Sequence, residues 1–144
     1  MSETDPELRG ILSAARTIAV VGLSDKPDRD SYAIAEYLQK EGYRIIPVNP
    51  TVPQVLGERS YPSIADIPPS IRIDIVDVFR RSDQVPPVVE EALARGIPTV
   101  WMQTGVAHAE AAARARSRGV TVIENRCIRV DHRRLAVPPV PGAR

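Results

Sequence analysis

The sequence predicts an α/β fold: a Rossmann-like doubly wound parallel sheet of five strands with helices on both faces. Three observations carry this. Short β-branched apolar runs alternate with segments whose apolar residues recur at helical spacing. Glycine and proline fall between the two kinds of segment. The strand runs are nearly continuous in apolar residues, as strands covered on both faces must be. The length of 144 residues is close to the ~150 of one domain. One domain over 1–135 is therefore expected, with 136–144 as a mobile tail, because AVPPVPGAR cannot build a packed element.

The elements follow in order. Leu8, Ile11, Leu12 and Ala15 form a helical stripe behind Asp5 as cap and Pro6 at the first helical position. TIAVVG, 17–22, is the first strand, and LSDKPDRDS is the loop behind it. Ile34, Tyr37 and Leu38 mark a helix that begins near Ser31 and stops at Gly42. RIIPVNP, 44–50, is the second strand, 51–62 a loop, and 63–67 one helical turn with Ser63 as cap. IDIVDVF, 73–79, is the third strand. Val85, Val88, Val89, Ala92 and Leu93 make the next helix face, entered through Asp83 and the pair Pro86, Pro87, and stopped at Gly96. TVWM, 99–102, is the fourth strand, 109–118 an alanine-rich helix ended by Gly119, and VTVIE, 120–124, the fifth strand.

Composition narrows the functions. With 19 basic and 18 acidic side chains the formal charge is +1, so no global field draws the chain to nucleic acid or a membrane surface. Any anion site must be local. The single cysteine, Cys127, excludes an intrachain disulfide, and no Cys/His cluster has zinc-ligand spacing. No apolar run approaches the ~18 residues of a membrane span, and the polar N-terminus does not read as a signal peptide. A reducing, cytoplasmic setting is expected. The 14 prolines lie mostly singly or in pairs between periodic segments, where they punctuate a fold.

In a doubly wound sheet, right-handed crossovers gather the loops after successive strands at the carboxyl edge, where ligands bind. The loop after the first strand is where a phosphate would meet a helix N-terminus. It holds Gly22 but no GxGxxG, and offers Ser24, Ser31, Lys26 and Arg29 instead. A solvated polar loop is the competing reading. The second strand ends in Asn49, Pro50 and Thr51, without the acid of an NAD site or the arginine of an NADP site, which disfavours a nicotinamide dehydrogenase. Phe79, Arg80 and Arg81 follow the third strand, and Gln103, Thr104 and Gly105 the fourth. Gly105 would let a ligand approach backbone amides.

VVGLSDKPDRDSY, GYRIIPVNP, the FR of VFRRSDQVP, VWMQTGV and ENRCIRV, in register from about Thr17 to Leu135, resemble the stand-alone bacterial CoA-binding domain family. That family is similar in fold to the N-terminal CoA-binding domain of the succinyl-CoA synthetase alpha subunit. The resemblance implies coenzyme A as ligand and places contacts on Ser24, Asp25, Lys26 and Pro27, and on Met102, Gln103 and Thr104. Where the synthetase has a lysine just after Val-Asn-Pro, this chain has Thr51 and Val52, so Arg29 or Arg80 would take that phosphate. The synthetase's phosphohistidine belongs to a second domain, beyond the matched segments.

No catalytic constellation stands out. His108 and His132 read as surface or capping residues, and Asp74 and Asp77 as edge or capping carboxylates. Trp101 reads as core. Cys127 reads either as a half-buried small hydrophobe or as a thiol near the ligand, favoured as thiolate by Arg126 and Arg129 and able to form a mixed disulfide with CoA under oxidation. The expected function is CoA or acyl-CoA sensing or delivery without catalysis, with any protein partner unidentified. The alternatives are an NADP-type reductase, or a CoA-ligase subunit acting with a separate ATP-grasp chain.

Overall fold

The five apolar runs pair side by side into one sheet, since only neighbouring strands can satisfy their buried N–H and C=O groups. The computed structural model describes residues 3–141. In chain order the elements are α1 (Asp5–Ala14), β1 (Thr17–Val21), α2 (Asp30–Lys40), β2 (Arg44–Val48), β3 (Gln54–Val55), β4 (Glu58–Arg59), β5 (Ile75–Val78), α3 (Val85–Arg95), β6 (Thr99–Met102), α4 (Ala109–Ser117), β7 (Thr121–Ile123) and α5 (Ile128–Arg134). The parallel sheet runs β2-β1-β5-β6-β7. The chain thus winds outward from β1 to β2, returns to β5 on the other side of β1, and continues through β6 to β7. The reversal puts a topological switch point between β1 and β5, where a doubly wound sheet opens a crevice at its carboxyl edge.

Side chains alternate across the sheet. Ala19, Val21, Val76, Val78, Val100 and Met102 pack under α3 and α4. Ile18, Val20, Ile75, Trp101 and Ile123 pack under α1, α2 and α5. Trp101 is fully buried, as its apolar run predicts, and its indole Nε1–H donates to the Arg126 carbonyl at 2.9 Å. The Tyr43 hydroxyl donates to the Leu12 carbonyl, and burial pushes its phenol up to about 12.

Several local expectations are corrected. Thr4, not Asp5, caps α1: its Oγ1 accepts the Glu7 N–H and Glu7 Oε1 accepts the Thr4 N–H, a reciprocal box that leaves Asp5 in the first turn. Ser63 stands at the N-cap of the short 3-10 turn Ile64–Asp66 as expected, but its hydroxyl accepts no backbone N–H and donates instead to Asp66 Oδ2 at 2.8 Å. The loop 51–62 contains the antiparallel hairpin β3–β4, and Tyr61 bridges in parallel to Val48 at the sheet edge.

Helix α5 is the one α-helix among the described residues that the sequence did not announce. Its buried face, Ile128, Asp131 and His132, recurs at helical spacing but is two-thirds polar, so an apolar periodicity misses it. His132 is accordingly not a surface histidine. It is 1% exposed, with Nδ1 2.7 Å from the Tyr37 hydroxyl and both Tyr37 and Tyr43 rings edge-on to its imidazole. Burial lowers its pKa. Asp131 is buried against two guanidiniums, Arg126 in a bidentate pair at 2.7 Å and Arg134 at 3.2 Å, and Arg134 continues to Asp5 on α1.

The two carboxylates at β5, Asp74 just before it and Asp77 within it, part company. Asp74 caps the start of β1, accepting the N–H groups of Arg16 and Thr17 at 2.9 and 3.0 Å. Asp77 is no edge residue. It sits mid-strand between Val20 and Trp101, fully buried with neither oxygen hydrogen-bonded, and burial raises its pKa well above the usual carboxylate range. Residues 136–141 form no helix or strand, yet Val137 and Val140 are buried, and the Val140 N–H donates to the Glu41 carbonyl at 2.9 Å. Residues 142–144 of the expected tail lie outside the described residues.

Candidate functional site

At the switch point the loop after β1 is pressed against the end of β5. Gly22 has φ +87°, and a Cβ there would lie 2.1 Å from the Phe79 carbonyl oxygen. Its N–H donates to Val48 at 2.8 Å, and the Phe79 N–H donates to Val21 at 2.8 Å. Gly22 therefore serves the seam between β1 and β5, and only a residue without a side chain closes it.

The loop itself is held by its own hydroxyls. Ser31, buried on the first turn of α2, accepts the Ser24 N–H at 3.0 Å, and Ser24 Oγ accepts the Lys26 N–H at 3.1 Å. Asn49 clamps the loop to the end of β2: Nδ2 donates to the Leu23 carbonyl at 3.0 Å, while Oδ1 accepts from the N–H and Oγ1 of Thr51. Asp25, Lys26, Pro27 and Arg29 stand exposed on this scaffold, as does Pro50. Arg29 is the residue before α2, and among the described residues no side chain caps the N-terminal amides of that helix, whose first turn also carries Asp30.

Beside this loop lies a groove of about 480 Å³. Asp30 and Ile34 of α2 form one wall. Phe79, Arg80 and Arg81 after β5, and Gln103, Thr104 and Val106 after β6, form the floor. Cys127 and Arg129 close it from the start of α5. The structure thus brings Phe79, Arg80, Gln103 and Thr104 together in one cavity, and adds Arg129 and Cys127 from a segment the sequence places only by resemblance. Ser24, Lys26 and Arg29 do not line it; they stand on the adjacent loop.

Three expected contributions change. At the helix that Gly105 was expected to open, the His108 N–H donates to Glu124 Oε2 at 3.2 Å and the Ala111 N–H to His108 Nδ1, and the Gly105 N–H itself donates to Asn125 Oδ1 at 2.6 Å. The Met102 side chain is buried on the α3/α4 face, and only its backbone reaches the edge, where its carbonyl accepts the Arg126 N–H at 3.2 Å. Arg126 does not serve Cys127, since its guanidinium is engaged by Asp131. His108 meets the capping expectation: its Nδ1 accepts the Ala111 N–H at 3.1 Å at the start of α4. Among the described residues no group of His, Cys, Asp and Glu could hold a metal ion, and no helix is long and apolar enough to cross a membrane.

A sheet of order β2-β1-β5-β6-β7 with a groove lined by Arg80, Arg81 and Arg129 at its carboxyl edge defines a Rossmann-like α/β protein with a candidate site beside its topological switch point. A family model described as CoA binding domain matches residues 16–133, and the chain belongs to that CoA-binding domain family. It is similar to the uncharacterized protein YneT of Bacillus subtilis strain 168, 46% identical over 126 residues that cover 88% of this chain and 92% of YneT. It also resembles part of acetate–CoA ligase (ADP-forming) II of Archaeoglobus fulgidus, 33% identical over 96 residues, 65% of this chain and 14% of the ligase. A solved structure of a hypothetical protein from Pyrococcus horikoshii OT3 superposes with a TM-score of 0.89 at 39% identity, over 93% of each chain.

Proposed function

We propose that this chain binds coenzyme A or an acyl-CoA at the carboxyl edge, with phosphates at the loop after β1, and senses or delivers the ligand without turning it over. The observation that carries this is the convergence of Arg80, Arg81 and Arg129 on one groove beside the uncapped N-terminus of α2. Guanidiniums take phosphate oxygens in pairs, and the uncapped amides add an anion site next door. The apolar side chains of Ile34, Phe79 and Val106 give the uncharged arm of such a ligand a surface to lie on. An NADP-type reductase is opposed by Asn49, whose amide is spent on Leu23 and Thr51 where that class needs a group for the ribose.

Calorimetric titration of the purified chain with CoA, acetyl-CoA, NADPH and ATP tests the reading. CoA and acetyl-CoA are expected to bind tighter than the other two, and tighter binding of NADPH or ATP overturns it. The similarity to the Archaeoglobus ligase favours one second reading, a subunit that works with a separate ATP-grasp chain. Copurification with such a chain, and formation of acyl-CoA from acid, ATP and CoA by the pair, would select it.

A further inference from the structure

Gln103 is only 4% exposed, yet half of its amide is unused. Oε1 accepts the Ile128 N–H at 3.1 Å, which orients the group, because only the oxygen can accept from an N–H. Nε2 has no hydrogen-bond partner among the described residues. It is also not sealed in: the buried, unpartnered side-chain polar atoms are those of Asp77 and His132 Nε2. The opening left to Gln103 is the groove it lines. A nine-tenths-buried amide that keeps a free N–H toward a cavity is a donor held ready for a ligand's acceptor.

Cys127, one residue before the N–H that holds Gln103, lines the same groove with its thiol free and half-buried. A thiol and an amide donor lining one groove match the two ends of a thioester carbonyl: sulfur for the carbon, N–H for the oxygen. Ile34, Phe79 and Val106 offer an apolar wall to a short acyl chain, and Arg80 and Arg129 face the negative charge that passes between the sulfurs.

We propose that Cys127 is an acyl acceptor, taking the acyl group of a bound acyl-CoA while Gln103 Nε2 donates to the carbonyl oxygen. This rests on the CoA reading above. The Cys127 Sγ–acyl carbon bond forms, the bond from that carbon to the CoA sulfur breaks, and the cysteine proton leaves with the CoA thiolate. No oxidant or reductant enters. One thioester replaces another, so the step runs in both directions, and the acylated fraction of the protein follows the ratio of acyl-CoA to free CoA.

Intact-mass analysis of the full chain incubated with acetyl-CoA at neutral pH reads the step. An acetyl-sized increment is expected on the parent, absent in Cys127→Ala and removed by excess free CoA. Gln103→Glu keeps the oxygen that holds Ile128 but loses the donor, and should slow acylation by roughly a hundredfold more than it slows iodoacetamide alkylation of Cys127, which reads the effect of the added charge on the thiol alone. Equal slowing of alkylation and acylation in that variant would remove Gln103 from the chemistry. No increment on a parent that binds CoA in the calorimeter overturns the acyl acceptor and leaves the CoA reading standing; absence of CoA binding overturns both. An increment the size of whole CoA marks air oxidation of Cys127 with the CoA thiol to a mixed disulfide and defeats the acyl assignment.

Discussion

At Gly22 the backbone demands two things that a side chain cannot meet together, a φ of +87° and a Phe79 carbonyl 2.1 Å from where Cβ would stand. Left-handed backbone alone costs about 1–2 kcal/mol for an L-residue, and the obstruction is main chain that cannot rotate away. Gly22→Ala should therefore lower stability by more than about 2 kcal/mol, read as a fall in the urea midpoint. Asp77 makes a different demand. Its folded-state pKa lies well above the unfolded value of 3.8 through burial. Between those two values the folded chain holds a proton that the unfolded chain has lost, so stability falls as pH rises, by about 1.4 kcal/mol per pH unit from this group alone. Asp77→Asn, which never ionises, should gain on the parent as pH is raised above 4 and converge with it below. Parallel urea titrations across pH check this, and a difference that does not vary with pH would exclude ionisation at Asp77. His132 acts oppositely, since its lowered pKa withdraws stability as pH falls through the unfolded value of 6.5.

Among the elements, α2 and the loop before it separate loop construction from ligand charge. Ser24, Ser31 and Asn49 spend their polar atoms on the loop itself, whereas the Arg29 side chain is exposed beside an uncapped helix start. The expected effect of Arg29→Ala is a CoA affinity weaker by about 1.5–3 kcal/mol, the range of a charge-assisted hydrogen bond, with Lys26→Ala costing less because an ammonium lacks the paired geometry. Stability should stay within about 0.5 kcal/mol of the parent. If calorimetry shows Arg29→Ala binding as the parent does, the groove residue Arg80 becomes the phosphate partner. The helices were legible to the degree that their buried faces are apolar. Val85, Val88, Val89 and Ala92 announce α3, and Gly96, at φ +71°, ends it. Helix α5 was not legible, because Asp131 and His132 occupy its core-facing positions and are tolerated only through Arg126, Arg134 and Tyr37, partners that include residues far away in the chain. The hairpin β3–β4 hid for another reason: strands of two residues carry no period to detect.

For the whole molecule, a net charge of +1 conceals five guanidinium and ammonium groups near the carboxyl edge: Arg80, Arg81 and Arg129 line the groove, and Lys26 and Arg29 stand on the loop beside it, interleaved with Asp25, Asp28 and Asp30. Five such groups are more than a pyrophosphate requires, so CoA should bind tighter than dephospho-CoA, and the gap should narrow as salt is raised. Equal affinities at one salt concentration would take the 3′-phosphate out of the site. The five parallel strands, their burial on both faces and the gathering of their loops at the carboxyl edge were determined by the sequence, through the alternation of apolar runs and helical stripes and the right-handedness of parallel crossovers, whereas the order of the strands was not. These are properties of local period and chirality, which neighbouring residues carry. Only the tertiary structure decided that Gly22 closes a seam, that Asn125 occupies the Gly105 amide, that Asp131 rather than Cys127 holds Arg126, and that Cys127 and Gln103 share a groove. Each of these joins segments separated in the chain, and which donor meets which acceptor is set by the packing of α5 and the strand ends against one another.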